Sequence, residues 1–134
     1  MTHKIDSALI QAFESGGFGL AYTVENQSED PPTGTPYAQL FILPNQPTVS
    51  TMGDSGQDLI TGLMQVNLNY PIGDGAGEAK QKATEIREVF KAGYRPTYDG
   101  QEVFITSSGR GIARNQDSWF QVIVNIIWEA RVTR

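Results

Sequence analysis

The sequence predicts an α+β protein in which a single antiparallel or mixed β-sheet is packed on one face by two helices. Alternating apolar residues, the pattern of half-buried strands, occur in Met64–Tyr70 and Trp119–Ala130. Apolar residues at helical spacing occur instead in Lys4–Ser15 and in the segment that begins near Asp74. The length of 134 residues is ordinary for one domain, so we expect residues 1–134 to form a single domain.

The N-terminal third is predicted to contain one helix and two strands. The helix Lys4–Ser15 ends at a glycine-rich stretch. Leu20–Glu25 can form a short strand, and the proline-rich segment Asn26–Pro36 is predicted to be a loop. Tyr37–Leu43 is predicted to be a second strand that ends at Pro44, because proline cannot donate a hydrogen bond to a sheet.

The middle of the chain is predicted to contain an arm and the longer helix. Val49–Leu63 is weakly apolar and carries three glycines. We interpret it as a protruding β-hairpin arm whose tip is Asp54–Gln57. Asp74 is a candidate N-cap and Gly93 a candidate C′ residue of the second helix. Its apolar stripe is rich in alanine, so we expect its axis to lie close to the sheet.

The C-terminal third is predicted to contain two strands separated by a loop. Glu102–Thr106 is predicted to be a short strand and Trp119–Ala130 a long one. Between them, the polar, glycine-containing segment Ser107–Ser118 is predicted to be a loop that carries Arg110 and Arg114.

Some residues predicted for the second face of the sheet are apolar. Ile123 and Ile127 interrupt the polar side of the last strand, and Leu40 and Ile42 do the same on the earlier strand. A sheet covered by helices on one face ordinarily presents polar residues on the other. We therefore interpret these residues as a surface that another subunit covers. Coverage within the monomer stays open as an alternative.

Composition and charge exclude several classes of protein. The 10 Lys and Arg residues against 15 Asp and Glu give a net charge of −5, which does not attract nucleic acid. Arg110 and Arg114 form the best small basic patch, a candidate contact for a partner or for passing DNA. The absence of cysteine excludes disulfides and thiolate metal sites. No segment has the run of roughly 20 apolar residues that a membrane helix needs, so no membrane contact is expected.

The motifs that suggest catalysis have structural explanations. Gly53–Gly56 is similar to the nucleophile turn of serine proteases, but a base is needed nearby and the single histidine is His3. Gly73–Gly77 lies between a strand and a helix, but it lacks the lysine and the spacing of a phosphate-binding loop. We therefore predict that the chain is not an enzyme and binds no cofactor.

Two pairs of acidic residues are candidate metal ligands. They are Asp54 with Asp58, and Glu29 with Asp30. Neither pair has the spacing of a calcium loop, and a hard cation needs about six oxygen ligands. Solvated loop acids are the favoured interpretation. The alternative is a divalent cation that bridges two subunits.

Five short patterns occur in order along nearly the whole chain. They are Pro36–Pro44, Thr61–Pro71, Gly75–Ala79 with Val89–Phe90 at the end of its helix, Asp117–Val124, and Ile127–Trp128. Their order resembles that of the phage tail-terminator-like family, small proteins of the head-proximal end of long phage tails. No catalytic motif accompanies the resemblance.

The resemblance implies a mechanical role. Such proteins form a ring, usually a hexamer, that caps the tail tube and stops its polymerisation. The implied partners are copies of the chain itself, the tail tube protein and a head-completion or connector protein. DNA passes through the ring without specific binding. The implied location is the virion tail, assembled in the cytoplasm of a bacterial host.

Arms of this length commonly contact a neighbouring subunit, and ring interfaces join two different patches. We therefore expect the arm residues Thr51, Met52, Asp54 and Gln57 to contact the apolar second face of the next copy. Two other classes stay open. One is another neck or tail subunit, such as a tube or head-completion protein. The other is a small-ligand-binding α+β domain.

Overall fold

The computed structural model describes residues 2–19, 21–24, 36–44, 48–49, 56–71, 76–116 and 119–133. Their elements are, in chain order, α1 (Thr2–Ser15), β1 (Ala21–Val24), β2 (Tyr37–Pro44), β3 (Thr48–Val49), β4 (Gln57–Pro71), α2 (Ala76–Val89), β5 (Thr97–Tyr98), β6 (Gln101–Glu102), β7 (Phe104–Gln116) and β8 (Trp119–Thr133). The predicted α+β fold with two helices and a mixed sheet is confirmed.

The main sheet has the strand order β1-β2-β4-β8-β7, and β3 pairs with β4 beyond the end of β2. β1 runs parallel to β2, whereas the other neighbours are antiparallel. β4 and β8 pair along their whole length, from Gln57 opposite Thr133 to Pro71 opposite Trp119. These two 15-residue strands therefore form the centre of the sheet.

One face of the sheet and both helices form the core. The buried side chains come from β4 (Met64, Val66, Leu68), β8 (Val122, Val124, Ile126), α2 (Ala79, Ala83, Ile86, Phe90) and α1 (Ile5, Ala8, Leu9, Ala12, Phe13). Strand residues alternate and helix residues recur every three or four positions, as each geometry requires. Among the described residues, no helix has the length and hydrophobicity that a membrane crossing needs.

A close contact between the central strands explains the glycine at position 62. Gly62 lies opposite Trp128, whose side chain is only 1% exposed. A Cβ atom at position 62 would lie 2.4 Å from Cζ2 of Trp128 and 2.8 Å from the carbonyl oxygen of Leu43. Position 62 therefore has to be glycine for the indole ring to pack against β4.

Aromatic rings attach α1 to the edge of the sheet. The Phe13 ring lies 5.0 Å from that of Phe18 and 5.7 Å from that of Tyr22, measured between centroids. The Tyr22 hydroxyl donates a hydrogen bond to Glu14. This hydrogen bond, burial and the charge of Glu14 raise the pKa of Tyr22 to about 12.

β5 and β6 form a small hairpin beside α1. Asp99 and Gly100 connect the two strands and have φ values of 49° and 81°. Positive φ at both positions is typical of the two-residue turns that favour Asp-Gly. Lys4 of α1 lies 3.2 Å from the Asp99 carboxylate.

One segment prediction was wrong, and the bounds of a second differ from the structure. Residues 107–116, which were predicted to be a loop, belong to β7 and pair with β8. The pairing shifts register between Ile105 and Ser107 and between Arg110 and Ala113, so the strand lacks a regular alternation. In the predicted arm Val49–Leu63, residues 57–63 pair with β8 in the central sheet. β3 pairs with the start of β4, as a hairpin requires, and the protruding arm stays a prediction.

Candidate assembly surfaces

An apolar row crosses the face of the sheet that points away from the helices. Leu43 lies opposite Leu63, and Leu63 lies opposite Ile127. Leu43 is 48% exposed and Ile127 is 41% exposed, with the half-buried Leu63 between them. Phe41 and Ile123, both half-buried, lie on the same face. Neighbouring exposed apolar side chains on a sheet face are typical of a surface that another protein covers, and we call this face, which points away from the helices, the open face.

Two of the residues predicted for this face lie in the core instead. Leu40 pairs with Val66 and Ile42 with Met64, so both point toward the helices. They are 0% and 4% exposed and cannot contact another subunit while the chain is folded. The prediction was wrong because β2 is apolar on both faces, and its alternation does not identify the inner one. Ile123 and Ile127 do lie on the open face, and their subunit contact stays a prediction.

Beside the apolar row, amide side chains form a buried network on the open face. Asn67, Asn69 and Gln121 are 8%, 3% and 5% exposed. Asn69 Nδ2 donates to Gln39 Oε1 at 3.2 Å, and Gln121 Nε2 donates to Asn69 Oδ1 at 3.0 Å. Gln65 Nε2 donates to Asn67 Oδ1 at 2.8 Å. The network joins β2, β4 and β8 in one register, since a slip of one residue would turn these amides toward the core.

The predicted arm and metal residues fall largely outside the described residues. Thr51, Met52 and Asp54 lie there, so their predicted roles stay predictions. Gln57 and Asp58 are the first two residues of β4, and both are half-buried. In the described part of the chain, no group of three or more His, Cys, Asp or Glu residues could hold a metal ion. A divalent cation at a subunit interface stays a prediction.

A cleft of about 540 Å³ lies near the C-terminal end of β8. The Arg95 guanidinium lies 5.4 Å from the centroid of the Phe104 ring, and Gln101 Nε2 donates to the carbonyl oxygen of Arg131 at 3.1 Å. The cleft is also lined by Gln57, Leu59, Gly100, Glu102, Glu129 and Ala130. Small-molecule sites are mostly apolar with a few polar groups, whereas charged and amide side chains dominate this cleft. The cleft gives no support to the small-ligand alternative.

Arg110 lies on an edge strand, not in a loop. It pairs with Val124, so its exposed side chain is on the helix side of the sheet. Two residues earlier, Ser108 Oγ donates to the carbonyl oxygen of Arg87 in α2 at 3.5 Å. Arg110 therefore lies beside α2. The side chain of Arg114 is outside the described part of the structure.

The opposite side of α2 is acidic and faces the end of α1. Burial and the charges of Glu78 and Glu85 raise the pKa of Tyr70. Lys82 Nζ lies 2.9 Å from the Glu85 carboxylate and donates to the carbonyl oxygen of Phe18 at 2.8 Å. Two carboxylates and one paired lysine thus share this side. This charge separation was not predicted from the sequence, although it follows from the helical spacing of the charged residues.

Comparisons with known proteins point to one family. A family model described as "Phage tail terminator protein" matches residues 4–128. The match confirms the resemblance predicted from the order of the sequence patterns. A solved structure with 23% sequence identity aligns with a TM-score of 0.73, over 95% of this chain and 96% of the other. At that identity the likeness shows a shared fold alone. No curated protein matches the chain.

Proposed function

Because the chain belongs to the phage tail terminator protein family, we propose that its copies form a ring that caps the head-proximal end of the tail tube. The family is structural and non-enzymatic, so the chain is a structural component of the phage tail, and its place is in the virion. In the proposal, the ring ends tube polymerisation and presents a surface to the head-completion protein.

The apolar row on the open face is the observation that supports assembly. Leu43 and Ile127 are both more than 40% exposed in the monomer, and Leu63 connects them. Burying an aliphatic side chain fully contributes roughly 1.5–3 kcal/mol. Covering this row with another subunit therefore stabilises a complex without new hydrogen bonds.

The charge of the chain supports a passage for DNA that does not retain it. A subunit of net charge −5 repels a polyanion at long range. Copies arranged around a central opening repeat this charge around the passage. We propose that DNA moves through the ring without specific binding.

Native mass spectrometry over a range of concentrations, with and without magnesium, tests the ring. We expect the 14.7 kDa chain to be in equilibrium with a hexamer and with no longer polymer. Electron microscopy with purified tail tubes then tests capping. Open-ended polymers would indicate a tube protein instead. A chain that is monomeric alone and absent from tube ends contradicts the proposal.

The substitution Ile127→Glu tests the apolar row. It places a charge at one end of the row, so we expect the concentration needed for half-assembly to rise roughly tenfold or more. Thr97→Glu adds the same charge at an exposed position of β5, away from the row, and is the matched control. Equal assembly of both variants would show that the row is not a subunit contact.

A further inference from the structure

Helix α2 carries opposite charges on its two exposed flanks. At 3.6 residues per turn, one flank contains Lys80, Thr84 and Arg87, and Lys91 follows two residues after α2 ends at Val89. The other flank contains Glu78 and Glu85, and the buried stripe of the helix lies between the two flanks. Glu88 lies on the outermost part of the helix. The helix therefore has an excess of positive charge on one flank and of negative charge on the other, with Glu88 among the residues of the groove beside the first flank and Lys82 among those of the groove beside the second.

The basic flank borders a groove between α2 and β7. The groove has a volume of about 500 Å³ and is lined by Thr84, Arg87, Glu88, Lys91, Ala92, Ser107 and Ser108. Arg110 of β7 adds a fourth cation beside α2. We call Lys80, Arg87, Lys91 and Arg110 the basic edge. All four are exposed, and none forms an ion pair with another described residue.

The basic edge coincides with one end of the sheet. β7 is the terminal strand on this side, and no described strand pairs with its outer edge. Its register shifts and the charge of Arg110 are features that protect edge strands from uncontrolled pairing. The outer side of β7 and the groove beside it thus form a continuous surface, which the fold of the monomer leaves uncovered among the described residues.

The acidic flank faces the segment that follows α1. A groove of about 350 Å³ on this side is lined by Phe18, Gly19, Pro36, Tyr70, Glu78, Gln81, Lys82 and Glu85. Glu14 lies beside it, because it lines a neighbouring groove that shares Phe18 and Gly19. We call Glu14, Glu78 and Glu85 the acidic edge. Lys82 offsets only part of the negative charge of the acidic edge, since it pairs with Glu85 and the edge has three carboxylates.

We propose that neighbouring copies in the ring meet head to tail, with the basic edge of one copy against the acidic edge of the next. This inference rests on the proposed ring. A cyclic assembly needs two different, complementary patches on each subunit, and the two edges lie on opposite flanks of α2. Complementary charges select which patches meet and disfavour contact between like edges.

DNA is the competing partner for the basic edge. A copy of the chain is favoured because the complementary acidic edge is present on the same molecule. The chain as a whole also has a net charge of −5, which opposes nucleic acid at a distance. A second copy also carries a net charge of −5, so the local match between the two edges, and not long-range attraction, is what favours it.

A charge exchange tests the pairing. One variant reverses the basic edge (Arg87→Glu with Lys91→Glu), and the other reverses the acidic edge (Glu78→Lys with Glu85→Lys). Each variant alone brings like charges together, so we expect its half-assembly concentration to rise at least about tenfold. An equimolar mixture restores complementary contacts, and we expect rings in which the two variants alternate in equal numbers. A chain with all four substitutions should also form rings.

Two controls separate assembly from folding. Circular dichroism and thermal unfolding check each variant, and Glu78→Lys with Gln81→Lys replaces the acidic-edge variant if loss of the Lys82–Glu85 pair impairs folding. Arg95→Glu makes the same type of charge change on an exposed residue away from both edges and should assemble normally.

The outcomes distinguish this inference from the proposed function. If the wild-type chain forms rings and both variants assemble normally, the inference is overturned and the proposed function is left intact. Loss of assembly without rescue in the mixture also overturns it, because the two edges then do not contact each other. Reduced binding of a DNA duplex by the basic-edge variant, with its rings unchanged, assigns that edge to DNA. Failure of the wild-type chain to form rings, alone or on tubes, rejects both proposals.

Discussion

At the scale of single residues, the contact between Gly62 and Trp128 limits what position 62 can hold. The substitution Gly62→Ala places a Cβ atom 2.4 Å from the indole ring and 2.8 Å from the carbonyl oxygen of Leu43. Either the ring or β2 must move, and overpacking of this kind costs about 1–3 kcal/mol. We expect the free energy of unfolding, measured by urea denaturation, to fall by this amount.

Gly109→Ala is the matched control for that substitution. A Cβ atom at position 109 of β7 meets no other atom within 4 Å, so we expect little change in stability. Equal stability of Gly62→Ala and the wild-type chain would mean that the indole of Trp128 does not pack over position 62.

Tyr22 gives a prediction about pH. Its pKa is raised from 10.0 to about 12 by the hydrogen bond to Glu14, by burial and by the charge of Glu14. The Tyr22 hydroxyl therefore holds its proton more tightly in the folded chain than in the unfolded chain. The resulting stabilisation is complete below pH 10.0 and is lost as the pH rises toward about 12.

The substitution Tyr22→Phe removes this effect. We expect the difference in the free energy of unfolding between the wild-type chain and Tyr22→Phe to shrink above pH 10.0. Comparing the two chains is necessary because burial also raises the pKa values of Tyr37 and Tyr70. A difference that stays constant over this range contradicts the hydrogen bond between Tyr22 and Glu14.

At the scale of elements, the sequence predicts secondary structure best where apolar residues keep one spacing over many residues. α2, β8 and the second half of β4 were predicted because their apolar residues recur at regular spacing. β7 was missed beyond residue 106 because two register shifts break its alternation and its polar residues resemble a loop. The β5–β6 hairpin also went unpredicted, although Asp99–Gly100 is a turn signal that the sequence contains.

The amide network is a property of three strands together. Asn69 connects Gln39 of β2 and Gln121 of β8, so Asn69→Ala removes both of these hydrogen bonds. A hydrogen bond contributes about 0.5–1.5 kcal/mol, so we expect urea denaturation to show a loss of about 1–3 kcal/mol. Asn125→Ala, on the same face but outside the network, is the control. Similar losses for both variants would show that the network does not stabilise the sheet.

At the scale of the whole molecule, the sequence predicted the apolar surface of the open face in part and did not predict the basic edge. Ile123 and Ile127 were assigned to the open face correctly, because the β8 residues beside them on that face, Gln121 and Asn125, are polar. Leu40 was misassigned because apolar residues occupy both faces of β2. The basic edge was missed because Arg110 and α2 are distant in the sequence, and the pairing of β7 with β8 is what brings them together.

The two contact types proposed for the ring respond differently to salt. Screening shortens the reach of a charge from about 10 Å at 0.1 M salt to about 3 Å at 1 M, so contacts between the basic and acidic edges weaken. Burial of the apolar row does not depend on such attraction, and strongly hydrated salts reinforce it.

If the charged edges select the subunit contact, the half-assembly concentration of the wild-type ring should rise with sodium chloride, by roughly tenfold between these two salt concentrations. The basic-edge variant should instead assemble better as salt is added, because its like charges are screened. Native mass spectrometry cannot use such salt concentrations, so analytical ultracentrifugation is the measurement. A ring that is equally stable at both salt concentrations would show that the apolar row, and not the charged edges, holds the copies together.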